Sequence, residues 1–331
     1  MLALSGHNTT GPFFSTVLLR QVRAQGRRDV ALRVALCKEN KGLARTFAFA
    51  PVAMSLKQLS MRIRSTTSTA KITKAMKMVA AAKLKSAERV MLASRPFASA
   101  TNDVFGALLT PDPEAEGYEP PEGTLSLALS SDKGLCGGIN SRVVKEIKLQ
   151  IGSAEDAGTP TPEVMICGGK VRDGLARTHG AHIVTTMDEC YNKPVTFSLA
   201  SFVTEQMLSK SGVEYNIIGN KFKSVIAQDV ETTKIKGPEC LGGSGVLDEY
   251  EFEGEKEDIL ANLYQFHLAT QIYSGLLNNV TSELASKMTA MDSATTNAQD
   301  MISKLTIIYN RRRQAKVTTE LTEIVAGAES V

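Results

Sequence analysis

Residues 277–309 read LNNVTSELASKMTAMDSATTNAQDMISKLTIIY and contain neither glycine nor proline. They belong to a stretch of 51 residues, 276–326, that lacks both helix breakers and would be roughly 75 Å long as an α-helix. Small and apolar side chains recur at steps of three and four, close to the 3.5-residue repeat of a coiled coil. The predicted seam consists of Phe266, Thr270, Tyr273, Leu277, Val280, Leu284, Met288, Met291, Thr295, Ala298, Ile302, Leu305 and Tyr309. We therefore predict a long helix that packs against a second helix.

The second helix is predicted in residues 52–95, which also lack glycine and proline and contain the motif KITKAMKMVAAAK at 71–83. Ile72, Met76 and Val79 fall within about 60° of arc on a helical wheel. They extend an apolar pattern that begins with Leu56, Leu59 and Ile63, while the lysines at 71, 74, 77 and 85 fall on another side. We predict that the apolar stripe faces the C-terminal helix and the lysines face outward, and that Pro96 or Gly106 kinks or ends this helix.

Between the two helices the sequence alternates between apolar runs and amphipathic segments with short connections. Strands are predicted at 124–130 (TLSLALS), 163–167 (EVMIC), 181–185, 215–218 and 224–235, and helices from about 139 to 151, 171 to 179 and 195 to 209. This alternation is typical of a small α/β domain with a largely parallel sheet. The acidic segment 248–258 is predicted to be a solvated lead-in to the last helix.

The predicted fold class is therefore α/β: a long antiparallel coiled coil of the N- and C-terminal helices with an inserted small α/β (Rossmann-like) domain. The helices must run antiparallel if they pair, because both depart from the same inserted domain. The predicted divisions are a leader at 1–53, an N-terminal coiled-coil helix at 54–110, the α/β domain at 122–240 and a C-terminal coiled-coil helix at 256–328.

The glycine-rich segment SSDKGLCGG, residues 130–138, follows the first predicted strand and could bind a phosphate through backbone N–H groups. Its spacing matches neither G-x-G-x-x-G nor G-x-x-x-x-G-K-[ST], so a structural tight turn is the favoured interpretation. Cys136 in this segment has no evident histidine partner for nucleophilic catalysis. The five cysteines are scattered and include no C-x-x-C pair. We predict no catalytic residue, no metal site and no cofactor.

The net charge of +3 conceals an asymmetry between the first 53 residues and the rest of the chain. Residues 1–53 carry a net charge of +6, which leaves −3 for the remainder. A slightly acidic body argues against a general nucleic-acid binder. The leader is rich in arginine, serine and threonine and poor in acids, which favours a mitochondrial transit peptide over an unaddressed basic tail.

A basic cluster, formed by Arg311, Arg312 and Arg313 and followed by Lys316, lies near the far end of the predicted C-terminal helix. It is interpreted either as a solvated face or as a contact for acidic loops of a partner. Two other functions stay open on the residues alone: a nucleotide-binding α/β enzyme with helical extensions, and a static structural coiled-coil scaffold. Micromolar affinity of the isolated chain for NAD or ATP would support the enzyme.

Three long motifs give the chain a family resemblance from residue 54 to residue 331. They are KITKAMKMVAAAK at 71–83, SSDKGLCGGIN at 130–140, and KMTAMDSATTNA at 287–298 followed by YNRRRQAKVTTELTEIVAGA at 309–328. In these motifs the chain resembles the γ subunit of the rotary F-type ATP synthase, the central-stalk rotor. The resemblance implies a coiled coil inside a ring of three α and three β subunits that carry the nucleotide sites.

The resemblance further implies that the α/β domain and small foot subunits (δ/ε) are fixed to a membrane c-ring turned by proton flow. The chain itself would be a non-catalytic subunit that couples this rotation to ATP synthesis, peripheral to the mitochondrial inner membrane on its matrix side. A regulatory insert with a closely spaced cysteine pair, present in the chloroplast form, is absent, so thiol regulation of that type is not expected.

Contacts with the surrounding β subunits are implied for six residues that match the family's motifs: Lys74, Met76, Lys77, Lys287, Gln314 and Thr318. The family commonly has arginine where this chain has Lys287. Lysine keeps the charge but loses the bidentate fork, so the resemblance implies a weaker contact there.

Overall fold

The structure is a computed structural model that describes residues 54–109, 123–210, 213–238 and 253–330. The predicted leader, the proline-rich loop at 110–122 and the acidic segment before residue 253 lie outside these ranges. The chain divides into two compact units. One comprises residues 62–311, and the other, among described residues, comprises 54–61 and 312–330.

The elements in chain order are two long terminal helices that enclose an α/β region. The helices are α1 (Leu56–Leu109), α2 (Ile139–Ala157), α3 (Gly169–His179), α4 (Phe197–Leu208) and α5 (Lys256–Glu329), with a 3₁₀ turn at Gly180–His182. The strands are β1 (Gly123–Leu129), β2 (Glu163–Cys167), β3 (Ile183–Met187), β4 (Val213–Phe222) and β5 (Gln228–Ile235). The predicted fold class is confirmed.

The five strands form one sheet in the order β3-β2-β1-β4-β5, in which only the β4–β5 pair is antiparallel. Both faces are covered, as a largely parallel sheet requires. Leu125, Leu127 and Leu129 of β1 pack with α4 and α5, while Ala128 packs on the other face with α2 and α3. The predicted strand at 224–235 begins only at residue 228, because residues 224–227 form a turn closed by a Ser224 N–H to Ala227 carbonyl bond of 3.0 Å.

Helix α1 continues through Pro96 and Gly106 to Leu109. The prediction that the helix ends at one of these residues is therefore wrong. A proline inside a helix costs about 3 kcal/mol. Neighbouring tertiary contacts offset that cost. Met91 is fully buried, Arg95 donates to the Phe222 carbonyl at 3.1 Å, and the Phe97 ring packs edge-on against Phe266 at 5.7 Å.

Within residues 62–311, polar contacts give the direction of the helix pair. The Thr73 and Thr295 hydroxyl oxygens lie 2.8 Å apart, and Gln271 donates to the Ala98 carbonyl at 3.3 Å. Moving forward along α1 therefore moves backward along α5, and the antiparallel prediction is confirmed. Most of the predicted α5 seam is buried or half-buried; only Phe266 at its start is largely exposed, at 43%.

The predicted apolar stripe of α1 does not face α5. Ile72, Met76 and Val79 are 56%, 38% and 58% exposed, whereas Ala80 and Leu84 are buried at 3% and 5%. The buried side lies roughly 100° around the helix from the predicted stripe at 3.6 residues per turn. This side faces α5 because small side chains such as Thr73 and Ala80 let the two helices approach closely beside Thr295.

The other unit contains the beginning of α1 and the end of α5. Ser55 and Gln58 form a reciprocal capping box: the Ser55 N–H donates to the Gln58 amide oxygen at 2.9 Å, and the Gln58 N–H to the Ser55 hydroxyl at 3.3 Å. This pair explains why the helix begins at Leu56. Leu59 is 1% exposed, and the Arg312 guanidinium donates to the Met54 carbonyl.

Candidate functional site

A groove of about 760 Å³ separates α1 from the loops at the carboxyl ends of β1 and β3. Ile72, Met76 and Val79 form one wall, so the stripe that is exposed on α1 lines this groove. Its floor comes from α5, and its other wall comes from Asp132, Lys133 and residues 191–195. The groove lies within residues 62–311, at the edge of the sheet where parallel strands end.

The loop after β1 is a packed turn, as the favoured interpretation of SSDKGLCGG predicted. Gly137 has a φ of +63°, and a Cβ there would lie 2.9 Å from the Ser286 hydroxyl of α5. That hydroxyl donates to the Cys136 carbonyl at 2.6 Å. The Asn140 amide donates to Ser131 at 2.8 Å and to the Cys136 sulfur at 3.3 Å. Burial raises the pKa of the Cys136 thiol, which makes it a poor nucleophile.

Asp132 ties the loop after β3 to the same edge of the sheet. One carboxylate oxygen accepts from the N–H groups of Gly169 at 3.3 Å and Glu189 at 3.2 Å. The other accepts from the Tyr191 N–H at 3.2 Å. The carboxylate thus replaces the hydrogen bonds that these loop amides would make with water, and it fixes one wall of the groove.

Asn279 of α5 joins that wall to the helix pair. Its amide nitrogen donates to the Ser130 carbonyl at 2.8 Å and to the Tyr191 hydroxyl at 3.1 Å. Its oxygen accepts from the Asn220 amide at 2.9 Å. Sequence reasoning missed this residue; the available signal was an asparagine next to a run of apolar seam positions on a long helix.

The groove carries more cationic than anionic side chains. Lys83, Lys133, Lys193 and Lys287 line it, against Asp132 and Glu283. Glu283 is only 8% exposed, and burial raises the pKa of its carboxyl, an effect that Lys287 partly opposes. An apolar wall flanked by amines suits an amphipathic, acidic protein segment better than a small substrate.

Comparison with known proteins identifies the family. A family model described as ATP synthase matches residues 55–331. The ATP synthase gamma chain of Paramagnetospirillum magneticum is 40% identical over 293 residues, covering 84% of this chain and 99% of that protein. This chain belongs to the ATP synthase gamma chain family. The mitochondrial F(1) complex subunit gamma of Rattus norvegicus is 38% identical, with the same coverage.

Solved structures agree with the gamma-family fold. A chain of the Euglena gracilis mitochondrial ATP synthase superposes with a TM-score of 0.68 at 17% identity, covering 83% of this chain and 94% of that one. A chain of the Tetrahymena thermophila mitochondrial ATP synthase central stalk and c-ring has a TM-score of 0.55 at 26% identity, covering 67% of this chain and 99% of that one.

The six predicted contact residues of this gamma-family chain are divided between the two units. Met76 and Lys287 line the groove, and Lys74 is exposed on α1. Lys77 was expected to face outward, but its ammonium pairs with Asp292 of α5 at 2.6 Å. Gln314 and Thr318 are exposed and belong to the other unit.

The basic cluster of this chain is not uniform. Arg311 and Arg313 are exposed, whereas Arg312 is half-buried and donates to the Met54 carbonyl. Lys316 pairs with Glu320 one turn later at 3.3 Å. Two exposed guanidiniums are therefore available to a partner.

In the described ranges, no helix is long and apolar enough to cross a membrane.

Proposed function

We propose that this chain is the central rotor shaft of a proton-translocating F-type ATP synthase. It couples rotation of a membrane c-ring to sequential conformational changes of β-subunit catalytic sites that make ATP from ADP and phosphate. The observation that carries the proposal is the exposed apolar wall of Ile72, Met76 and Val79 beside the lysine-lined groove, in a chain of the gamma family.

Exposed apolar side chains in this arrangement favour a protein partner. Contiguous apolar surface rimmed by polar groups marks interaction sites. The end of α5 also exposes Val317, Leu321 and Ile324, at 49%, 58% and 67%. Because they are spaced by four and three residues, they form an apolar stripe on one side of the helix, suited to contact with an apolar surface of a surrounding ring of subunits. We infer a ring of three α and three β subunits as the partner, with acidic segments against the groove.

The mechanism follows from differential contact rather than chemistry within the chain. A shaft without threefold symmetry presents different faces to three identical β subunits. Each shaft angle then stabilises a different conformation at each catalytic site, by the difference in contact free energy between conformations. The chain itself is a non-catalytic subunit in this scheme, and its α/β region and foot subunits (δ/ε) attach to the c-ring.

The six contact residues keep their proposed roles with one refinement. Met76 supplies apolar contact, and Lys74, Lys287, Gln314 and Thr318 supply polar contact to β subunits. Lys77 acts through its ion pair with Asp292, which leaves its aliphatic stem at the helix surface. Lys287 offers a point charge where many relatives offer a fork, so its contact is weaker.

We further propose a mitochondrial location, peripheral to the inner membrane on the matrix side, reached through a leader cleaved near residues 50–55. The support is the basic, acid-poor leader and the mitochondrial relative from rat. Sequencing the N-terminus of the organelle protein tests this proposal, and an intact Met1 would refute it.

The rotor proposal is tested by crosslinking within the assembled enzyme. A Met76→Cys variant joined to the surrounding ring by a thiol-reactive crosslinker is expected to lose ATP-driven rotation, and a cleavable linker should restore it. Leu149→Cys, at an exposed position of α2, controls for modification alone. Undiminished rotation with Met76→Cys fully linked to the ring would sink the proposal for this surface.

A further inference from the structure

Two cysteines that are distant in the sequence meet behind the groove wall. Cys167 ends β2 and pairs in register with Met187 of β3. The Cys190 thiol, in the loop after β3, donates to the Met187 carbonyl at 3.4 Å. The same Met187 carbonyl accepts from the N–H of Gly168, the residue after Cys167, at 2.8 Å, and Cys190 packs against the buried cluster that contains Cys167.

We propose that Cys167 and Cys190 are a redox modification site that closes to a reversible disulfide when a hydroperoxide oxidises the protein. Bridging requires the sulfurs to approach to about 2.05 Å. Cys190 lies in the loop after β3, outside the β-ladder that holds Cys167, so the approach comes from movement of that loop and not of the strand.

The environments of the two thiols assign them different roles. Cys190 is half-buried and Cys167 is fully buried. The neighbouring Cys167 thiol lowers the pKa of Cys190, although burial and the nearby Asp132 and Asp188 carboxylates oppose this. The neighbouring Cys190 thiol and burial raise the pKa of Cys167. Cys190 is therefore the attacking thiolate and Cys167 the resolving thiol.

The chemistry balances with one peroxide per disulfide. The Cys190 thiolate attacks one peroxide oxygen, the O–O bond breaks, and Cys190 becomes a sulfenic acid as hydroxide leaves. The Cys167 sulfur then attacks the Cys190 sulfur, the S–O bond breaks, and the Cys167 proton leaves with the departing hydroxyl as water. With the Cys190 proton counted, two thiols and hydrogen peroxide give a disulfide and two waters.

Oxidation at this site reaches α5 through one side chain. Tyr191 follows Cys190 in the chain, and its hydroxyl accepts from the Asn279 amide at 3.1 Å. Movement of the loop that brings Cys190 to Cys167 also displaces Tyr191, and therefore weakens its bond with Asn279, one anchor between the groove wall and α5. Cys136 is separately engaged with Ser131 and Asn140.

The test uses the full chain in its native assembly, treated with hydrogen peroxide, alkylated and digested with trypsin. Cleavage after Lys170 and Arg177 puts the two cysteines in separate peptides. Mass spectrometry should find these peptides joined and lighter by two hydrogens, and dithiothreitol should separate them. A Cys136→Ser control should keep the link, and Cys190→Ser should lose it.

Several results would overturn the inference. One is Cys190 oxidised to sulfinic acid while Cys167 stays alkylatable in the wild-type protein. Another is a disulfide from either cysteine to Cys136 or Cys240. The wild-type measurement decides the matter even if a variant fails to fold.

Discussion

The ammonium nitrogen of Lys77 lies 2.6 Å from a carboxylate oxygen of Asp292, and this contact joins α1 to α5. The two side chains are 39% and 55% exposed, so water and salt screen the pair. It occurs because the side of α1 that faces α5 is the one that carries Thr73, Lys77 and Ala80, not the one with the larger apolar residues.

Asp292→Asn is expected to lower the free energy of unfolding by no more than about 1 kcal/mol, as exposed ion pairs do. The loss should shrink in 1 M salt, where charges are screened within about 3 Å. Urea denaturation of the purified chain at two salt concentrations measures it, with the exposed Asp300→Asn as a control. A loss above 2 kcal/mol that salt leaves unchanged would contradict this assignment.

Asn279→Ala is expected to destabilise the protein by about 2–4 kcal/mol, because it leaves buried partners at Ser130 and Asn220 unsatisfied. The neighbouring Asn278 bonds to Ser274 in its own helix. Asn278→Ala should therefore cost less than about 1 kcal/mol, by the net worth of one hydrogen bond. If denaturation curves show equal decreases in the free energy of unfolding for the two variants, Asn279 does not join the groove wall to α5 in the way described above.

Two helical glycines should respond in opposite directions to alanine. A Cβ at Gly275 would lie 2.8 Å from the Leu129 side chain, whereas a Cβ at Gly152 meets nothing within 4 Å. Gly152→Ala should stabilise by about 0.5–1 kcal/mol through helix propensity. Gly275→Ala should destabilise by about 1–2 kcal/mol through overpacking of the core. Thermal unfolding of the two variants measures the difference. Stabilisation by both substitutions would show that the Leu129 side chain can shift to accept a Cβ at Gly275.

His267 is expected to give the wild-type chain a dependence of stability on pH. It is 2% exposed, its Nδ1 has no hydrogen-bond partner, and burial lowers its pKa from 6.5 to about 4. The unfolded chain takes up a proton on this histidine below pH 6.5, whereas the folded protein does so only near pH 4. The free energy of unfolding is therefore highest above pH 6.5 and decreases as pH falls toward 4. The loss is at most about 3 kcal/mol at 1.36 kcal/mol per pKa unit.

His267→Leu tests this dependence, since leucine cannot take up a proton in the unfolded chain. Between pH 6.5 and 4 the variant should lose less stability than the wild type, whatever its stability at neutral pH. Denaturant titrations at several pH values give both slopes. Identical slopes would mean that His267 is protonated as readily in the folded protein as in the unfolded one.

Local rules predicted that five strands and a helix pair exist, because these features depend on neighbours along the chain, although β3 and β5 begin later than predicted, at Ile183 and Gln228. Strand β2 has the predicted ends, Glu163 and Cys167, since this short β-rich run is bounded by Pro162 and Gly168. The predicted ending of the helix at Pro96 is wrong, because packing of Met91 and Phe97 outweighs the helix penalty.

By itself, the sequence determined that two long helices flank an α/β sheet, because breaker-free stretches and apolar periodicity are properties of adjacent residues. Only the tertiary structure decided which side of α1 meets α5. The stripe of Ile72, Met76 and Val79 and the side with Ala80 and Leu84 are both compatible with a helix. The partner's register and side-chain sizes choose between them. The same holds for Asn279 and for Cys167 with Cys190, whose contacts join residues that only folding brings together.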